Sequence, residues 1–81
     1  MSNDLVAEIQ NLVADVMQVP DESIGPNTTS EDIEAWDSVQ HLVLMLALEE
    51  RFAVIVTPEE ASELRTPVAI AQYLQDSIGS A

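Results

Sequence analysis

The sequence predicts an all-α fold, a four-helix bundle with three longer helices, one short third helix and a long first loop. Apolar residues recur at helical spacing in three segments, which predicts the longer helices. Two pairs, Thr57-Pro58 and Thr66-Pro67, each place a capping residue before a proline that suits the first helical position. The strand-like run at residues 53–56 has no partner segment, so we expect it to be an extended crossover whose Val54 and Val56 point inward.

Length and composition predict one domain, residues 1–81. Apolar residues make up 47% of the chain, which is enough for a small core. There is no cysteine, so neither a disulfide framework nor a thiolate metal site is available. Any thiol chemistry therefore requires a thiol brought in from outside the chain.

The chain carries fifteen acidic residues and two basic ones, with a formal net charge of −13. This charge disfavours nucleic acid and anionic membranes and favours partners with basic docking patches. The first residues lack the basic start of a signal peptide, and the longest apolar run is too short to span a bilayer. We therefore expect a cytoplasmic monomer.

The first helix is predicted from Asn3 to about Met17. Its apolar stripe has helical spacing, and Ser2 or Asn3 can cap its start. The residues of the stripe are Leu5, Ile9, Leu12, Val13 and Val16.

Residues 19–35 form a connection far longer than the ~2–8 residues usual between helices. We expect Ile24, Ile33 and Trp36 to anchor it to the core. Its acidic residues lack the spacing and the glycine of a calcium-binding loop, so we predict no metal site.

The second helix follows Asp37 and runs to Phe52, with no Gly or Pro. Asp37 is the predicted N-cap, and Gln40 stands where it could complete a capping box. Ser38 then lies in the first turn, where backbone N–H groups lack partners and the dipole favours negative charge. Its hydroxyl could carry a phosphodiester, although Asp-Ser before a helix is also a common capping pattern.

The context of this pair favours the first interpretation. Asp37-Ser38-Val39, Leu48-Glu49-Glu50-Arg51-Phe52, Thr57-Pro58-Glu59-Glu60-Ala61 and Leu64-Arg65-Thr66-Pro67 occur in order. Through these motifs the chain resembles the acyl carrier protein family, with Val39 where the family usually has leucine, and the resemblance covers nearly the whole chain.

The resemblance implies that Ser38 receives 4'-phosphopantetheine from a phosphopantetheinyl transferase, and that acyl groups are carried on this arm as thioesters. It places Asp37 directly before the attachment site, and His41 follows one helical turn after Ser38. It also implies acyl-loading and acyl-transferring enzymes of fatty-acid, polyketide or related specialised biosynthesis as partners. A protein of this family is a carrier and not an enzyme.

Two apolar stripes lie on opposite sides of the second helix. His41, Leu44, Met45, Leu48 and Phe52 form the stripe expected to face the core. The other stripe continues into Glu49 and Glu50, so we expect it to be exposed and to dock partners. It consists of Val39, Leu42, Val43 and Leu46. Fatty-acid carriers usually have more acids there; Glu59 and Glu60 on the next helix are expected to add charge to the docking face.

Ser38, Asp37 and His41 include the residue types of a hydrolytic triad, but Asp37 and Ser38 are adjacent, so the histidine cannot bridge them as a triad requires. We expect His41 to pack partly buried or to lie along the prosthetic arm.

The short third helix is predicted from Pro58 to near Leu64, and the last from Pro67 to about Ser77, with Gly79 as its stop. Arg65 is expected to pair with acids of the third helix or to steer a partner. Tyr73 is expected at the edge of the core with its hydroxyl in water. Residues of the last helix that we expect to be buried are Val68, Ile70, Ala71, Leu74 and Ile78.

Two alternatives remain open on the sequence alone. One is an aminoacyl or peptidyl carrier, although the approach Glu34-Ala35-Trp36-Asp37 lacks the glycines usual in that class. The other is a cofactor-free acidic helical adaptor that binds basic partners.

Overall fold

The computed structural model describes residues 3–79 and contains four α-helices in that range. They are α1 (Asn3–Met17), α2 (Ser38–Phe52), α3 (Pro58–Glu63) and α4 (Pro67–Gly79). A 3-10 turn, Asp21–Ser23, lies in the connection between α1 and α2, and no strand occurs in the described range. The predicted fold, with three longer helices, one short third helix and a long first loop, is confirmed.

Helix α1 packs against both α4 and α2. Its stripe supplies a large part of the core because residues three and four apart share one face of a helix. The buried side chains of α1 are Ile9, Leu12, Val13, Ala14 and Met17. The predicted cap of α1 at Ser2 or Asn3 and the predicted burial of Ile78 fall outside the described side chains.

The long first loop is held by its own anchors, as predicted. Ile24 and Trp36 are each only 2% exposed, and Ile33 packs partly buried against the core. The Gln10 side chain donates to the Ile24 carbonyl at 2.7 Å, and the Val68 N–H donates to the Pro26 carbonyl at 3.0 Å. The loop is therefore tied to α1 near its middle and to the start of α4.

Helix α2 buries one side and exposes the other. Leu44, Met45 and Leu48 are buried, and Phe52 packs partly buried against them. The opposite apolar stripe is exposed, so the predicted division of the two stripes is confirmed. The first set packs into the core, whereas the second stripe stays exposed and is not covered by any of the described residues.

Helix α2 ends at Phe52, and Ala53 caps it in a left-handed conformation with φ of 55°. Its N–H donates to the Glu49 carbonyl and so closes the last turn. The extended crossover follows, with Val54 and Val56 packed against the core as predicted. Ile55 lies between them and is 83% exposed.

Both Thr-Pro pairs start helices as predicted. Thr57 and Glu60 form a reciprocal capping box at the start of α3, and the Thr66 hydroxyl accepts from the Ala69 N–H at 3.1 Å. Helix α4 continues to Gly79, two residues past the predicted end at Ser77. Gly79 is thus the last helical residue instead of a stop beyond the helix, because an N–H at a helix C-terminus still finds a carbonyl one turn earlier.

Candidate functional site

The start of α2 is fixed by Asp37, whose carboxylate accepts from the Gln40 N–H at 2.9 Å. The Asp37 backbone carbonyl accepts from the His41 N–H at 2.8 Å and opens the helical bonding pattern. Asp37 is therefore the N-cap, as predicted. Ser38 is the first helical residue, and its side chain is exposed.

The predicted capping box at this helix start is only half formed. The Gln40 side chain does not return to the Asp37 N–H, which instead donates to the Ala35 carbonyl at 3.0 Å. The Gln40 amide donates to the Val16 carbonyl at 3.0 Å, near the end of α1. Carbonyls in the last turn of a helix lack intrahelical partners, and packing brings the end of α1 close to Gln40. The bond to Val16 therefore forms in place of the predicted bond from the Gln40 side chain to the Asp37 N–H.

Ser38 opens onto a surface cavity of about 270 Å³. Trp36 and His41 contribute aromatic surface to its walls, and Arg65 contributes a cation. The lining residues are Ser30, Trp36, Asp37, Ser38, His41 and Arg65. The fold thus brings together all three residues that the sequence placed at the attachment site, and it adds Arg65 from the segment between α3 and α4.

His41 is partly buried and held on both sides of its ring. The Trp36 indole N–H can only donate, so Nδ1 of His41, 3.0 Å away, is the acceptor. Nε2 therefore carries the proton and donates to the Ala61 carbonyl at 2.8 Å. Both nitrogens are engaged away from Ser38, so His41 joins the end of the long loop to α3 and is not placed to act as a base on Ser38.

Arg65 does not pair with the acids of α3, the first of its two predicted roles; the second role, steering a partner, stays a prediction. Its Nε donates to the Ser62 carbonyl at 2.7 Å, in the last turn of α3. Among the described side chains it forms no ion pair, whereas the other arginine, Arg51, lies 3.5 Å from the Glu8 carboxylate. The backbone carbonyls at the end of the short α3 hold the Arg65 side chain in place of the predicted acids, since unpaired carbonyls there attract cations.

The exposed stripe of α2 lies on the outer face of the helix that begins at Ser38. Its four apolar side chains would lose their contact with water if a partner covered them, which would favour association. The exposed fractions are 67% for Val39, 65% for Leu42, 42% for Val43 and 62% for Leu46. Together with the exposed Ile55 on the crossover, these five residues are called the apolar stripe below.

The four glutamates expected on the docking face divide into two pairs. Glu50 and Glu59 are exposed. Glu49 is partly buried, and its carboxylate accepts from the Val56 N–H at 2.8 Å. Glu60 is also partly buried and accepts from the Thr57 N–H at 3.0 Å. Glu49 and Glu60 therefore hold the crossover and α3 in place, which leaves Glu50 and Glu59 as free acids.

Tyr73 packs partly buried at the edge of the core, as predicted, but its hydroxyl also has protein partners. Its hydroxyl lies 3.0 Å from both the Ile55 carbonyl and the Glu60 carboxylate, so its single proton is shared between two acceptors. Burial, followed by the hydrogen bond and charge of Glu60, raises the pKa of Tyr73. The Thr57 N–H and then the Tyr73 hydroxyl lower the pKa of Glu60. Tyr73 thus links the crossover, α3 and α4.

Within residues 3–79, no helix is both long and apolar enough to cross a membrane. The described side chains also contain no group of three or more His, Asp or Glu residues placed to hold a metal ion.

Two features of the site were not predicted from the sequence. Arg65 lies on the wall of the Ser38 cavity, and Ile55 extends the exposed apolar surface. The sequence contains only two basic residues, so each of them, Arg65 included, could have been considered as a candidate for binding an anion. Alternation along residues 54–56, with Val54 and Val56 inward, could have placed Ile55 outward.

Comparisons with known proteins show the family of the chain. Residues 7–74 match the family described as phosphopantetheine attachment site. Acyl carrier proteins are similar along most of their length. One from Thermosynechococcus vestitus is 29% identical over 96% of both chains, and one from Streptomyces coelicolor is 31% identical over 94% of this chain and 84% of its own.

The fold agrees as well. A solution structure described as an acyl carrier protein from Anaplasma phagocytophilum superposes with a TM-score of 0.79 at 25% identity, covering 95% of this chain and 91% of that one. The fold and the exposed serine at a helix start define a small helical carrier domain. The chain belongs to the acyl carrier protein family, whose cofactor is covalently attached phosphopantetheine.

The residues around Ser38 fit this cofactor. A hydroxyl is exposed, the cavity beside it has aromatic walls, and a guanidinium without an acid partner among the described residues faces the same space. When bound, phosphopantetheine supplies the thiol that a chain without cysteine lacks.

Proposed function

We propose that Ser38 is the attachment residue and that the chain carries acyl intermediates as thioesters on the attached arm. The single observation that supports this most strongly is the exposed Ser38 side chain at the first position of α2, beside a cavity of about 270 Å³. The family match at residues 7–74 includes this position. In the attachment step the Ser38 hydroxyl gives up its proton and forms a phosphodiester, while the nucleotide part of coenzyme A leaves.

The partners are a phosphopantetheinyl transferase and the enzymes that load and transfer acyl groups. Their docking surfaces combine an apolar patch for the apolar stripe with basic residues for Glu50 and Glu59. Burial of the stripe favours association because it removes apolar surface from water, and the acidic rim accelerates encounter. The apolar character of α2 favours the enzymes of a specialised pathway over those of general fatty-acid synthesis.

The chain acts as a carrier and not as a catalyst. The engagement of both His41 nitrogens supports this, because no described base is hydrogen-bonded to Ser38. The naming of both relatives as acyl carrier proteins favours acyl over aminoacyl cargo, and the family match disfavours a cofactor-free adaptor. A monomeric state and a cytoplasmic location stay predictions from the sequence.

The experiment is to incubate the chain with a phosphopantetheinyl transferase and coenzyme A and to measure the intact mass. We expect the wild type to gain one phosphopantetheine group. Ser30→Ala is the matched control, because Ser30 lines the same cavity and offers the alternative hydroxyl. Ser30→Ala should be modified and Ser38→Ala should not. Modification of Ser38→Ala, or loss of modification in Ser30→Ala alone, would overturn the proposal.

A further inference from the structure

Arg65 is a cation close to the attachment residue in a chain with a net charge of −13. It stands between α3 and α4, whereas Ser38 begins α2, so only the fold brings the two residues to one cavity. The other arginine, Arg51, is close to Glu8 near the opposite end of α2. Arg65 is therefore the described arginine whose charge is available at this site.

Apart from Arg65, the polar side chains on the cavity wall offer no charge suited to an anion. The Trp36 indole N–H is used by His41, and both His41 nitrogens are used by Trp36 and Ala61. The Asp37 carboxylate repels a phosphate and is committed to capping α2. The Ser30 hydroxyl could contribute one neutral hydrogen bond but no charge.

The Arg65 side chain is also oriented in advance. Its Nε donates to the Ser62 carbonyl at 2.7 Å, which anchors one edge of the planar guanidinium to α3. A guanidinium has five N–H donors, so its terminal N–H groups remain for a second ligand. A fixed guanidinium is well suited to a phosphate because two parallel N–H groups can reach two oxygens at once.

We propose that Arg65 binds the phosphodiester of the arm attached to Ser38 and so positions the first part of that arm along the cavity walled by Trp36 and His41. This inference rests on the proposed function, since it requires the arm on Ser38. Arg65 is a positioning residue: it offsets the repulsion between the new negative charge and Asp37 and limits the directions in which the arm leaves the helix start.

The two arginines provide a matched test, because Arg65→Gln and Arg51→Gln change the net charge equally. Each variant and the wild type are loaded with the arm, checked by intact mass, and compared by ³¹P NMR at low salt. We expect the wild type and Arg51→Gln to share one phosphodiester shift. The ³¹P shift of Arg65→Gln should lie closer to the shift that the same loaded chain shows in denaturant. Added salt should move the wild type in the same direction, since exposed charges are screened.

A second measurement needs no substitution and covers the case in which Arg65→Gln loosens α3. In the wild type, the Nε–H resonance of Arg65 should move when the arm is attached, and that of Arg51 should not. Loaded chains that all share one ³¹P shift, with an unmoved Arg65 resonance, would overturn this inference and leave the proposed function standing. A wild type that gains no arm would overturn both.

Discussion

Trp36 and His41 form a hydrogen-bonded pair with nearly parallel ring planes on the wall of the Ser38 cavity. The indole Nε1 lies 3.0 Å from the imidazole Nδ1, and the ring centroids are 6.1 Å apart with an interplanar angle of 25°. Trp36 is 2% exposed, so its N–H depends on His41 for a partner. Because Trp36 is buried and anchors the long loop to the core, packing of the core also fixes the part of the cavity wall that the pair forms.

This pair predicts the tautomer of His41. Because Nδ1 accepts from Trp36 and Nε2 donates to Ala61, the neutral ring should carry its proton on Nε2. Long-range ¹H–¹⁵N correlation spectra of the neutral ring should show an unprotonated Nδ1. A proton on Nδ1 would contradict the described bonding.

His41→Ala should lower the free energy of unfolding by about 1–3 kcal/mol, because it leaves a buried indole N–H unpaired.

Substitutions in the apolar stripe should weaken docking to a partner while leaving the stability of the fold nearly unchanged. Leu42→Ser and Leu46→Ser remove exposed apolar surface, so the free energy of unfolding should change by no more than about 0.5 kcal/mol. The kcat/KM of the transferase toward these variants should fall about tenfold, equivalent to ~1.4 kcal/mol of lost binding.

The control for that prediction lies on the other side of the same helix. Leu44→Ala removes a fully buried side chain and should cost ~2–5 kcal/mol of stability. Transferase kinetics that are unchanged in both serine variants would show that the partner docks elsewhere.

Glu60 predicts a change of stability with pH. Hydrogen bonds from the Thr57 N–H and the Tyr73 hydroxyl place its pKa below the ordinary value of 4.5. A carboxyl with a folded-state pKa below its unfolded value stabilises the fold above the unfolded pKa, and this contribution is lost as pH falls through the folded pKa. The stability of the wild type relative to Glu60→Gln should therefore decrease as pH falls below 4.5.

Tyr73→Phe provides the matched variant for this prediction. It removes the hydroxyl that stabilises the carboxylate, so the pKa of Glu60 should rise, which carboxyl ¹³C NMR can measure. If the pKa of Glu60 stays the same in Tyr73→Phe, the hydrogen bond does not contribute to it.

Ala53 predicts a stabilising substitution. Its φ of 55° is unfavourable for a residue with a Cβ, by roughly 1–2 kcal/mol, and glycine avoids this cost. Glycine also loses more backbone entropy on folding, which offsets part of this gain. Ala53→Gly should therefore raise the free energy of unfolding by only about 0.5–1 kcal/mol. Denaturant titration measures this change. A destabilised Ala53→Gly would indicate that the exposed methyl group contributes packing.

The sequence predicted those parts of the molecule that local patterns determine. Helical periodicity places Leu44 and Leu42 on opposite faces of α2, and the glutamates that continue the Leu42 stripe indicate that this stripe is the exposed one. The cap at Asp37 follows from its residue type just before the helical pattern. The partners of Gln40, Arg65 and Tyr73 were not predictable in this way. Each reaches a carbonyl or carboxylate of a different segment or turn, and which one is nearest depends on how the helices approach each other.

The left-handed end of α2 illustrates a further limit. Glycine usually marks such a helix end, and Ala53 gives no comparable signal in the sequence. The crossover that follows is fixed by contacts of Glu49 and Tyr73 with its backbone, which no local pattern encodes.

The most direct test of the central claim is to locate the phosphopantetheine group by tandem mass spectrometry of the wild-type chain after loading by a transferase. We predict one group per chain, on the Ser38 hydroxyl, with Ser30 unmodified. A group found on any other residue, or a chain that stays unmodified while a known carrier is loaded in the same reaction, would contradict the account.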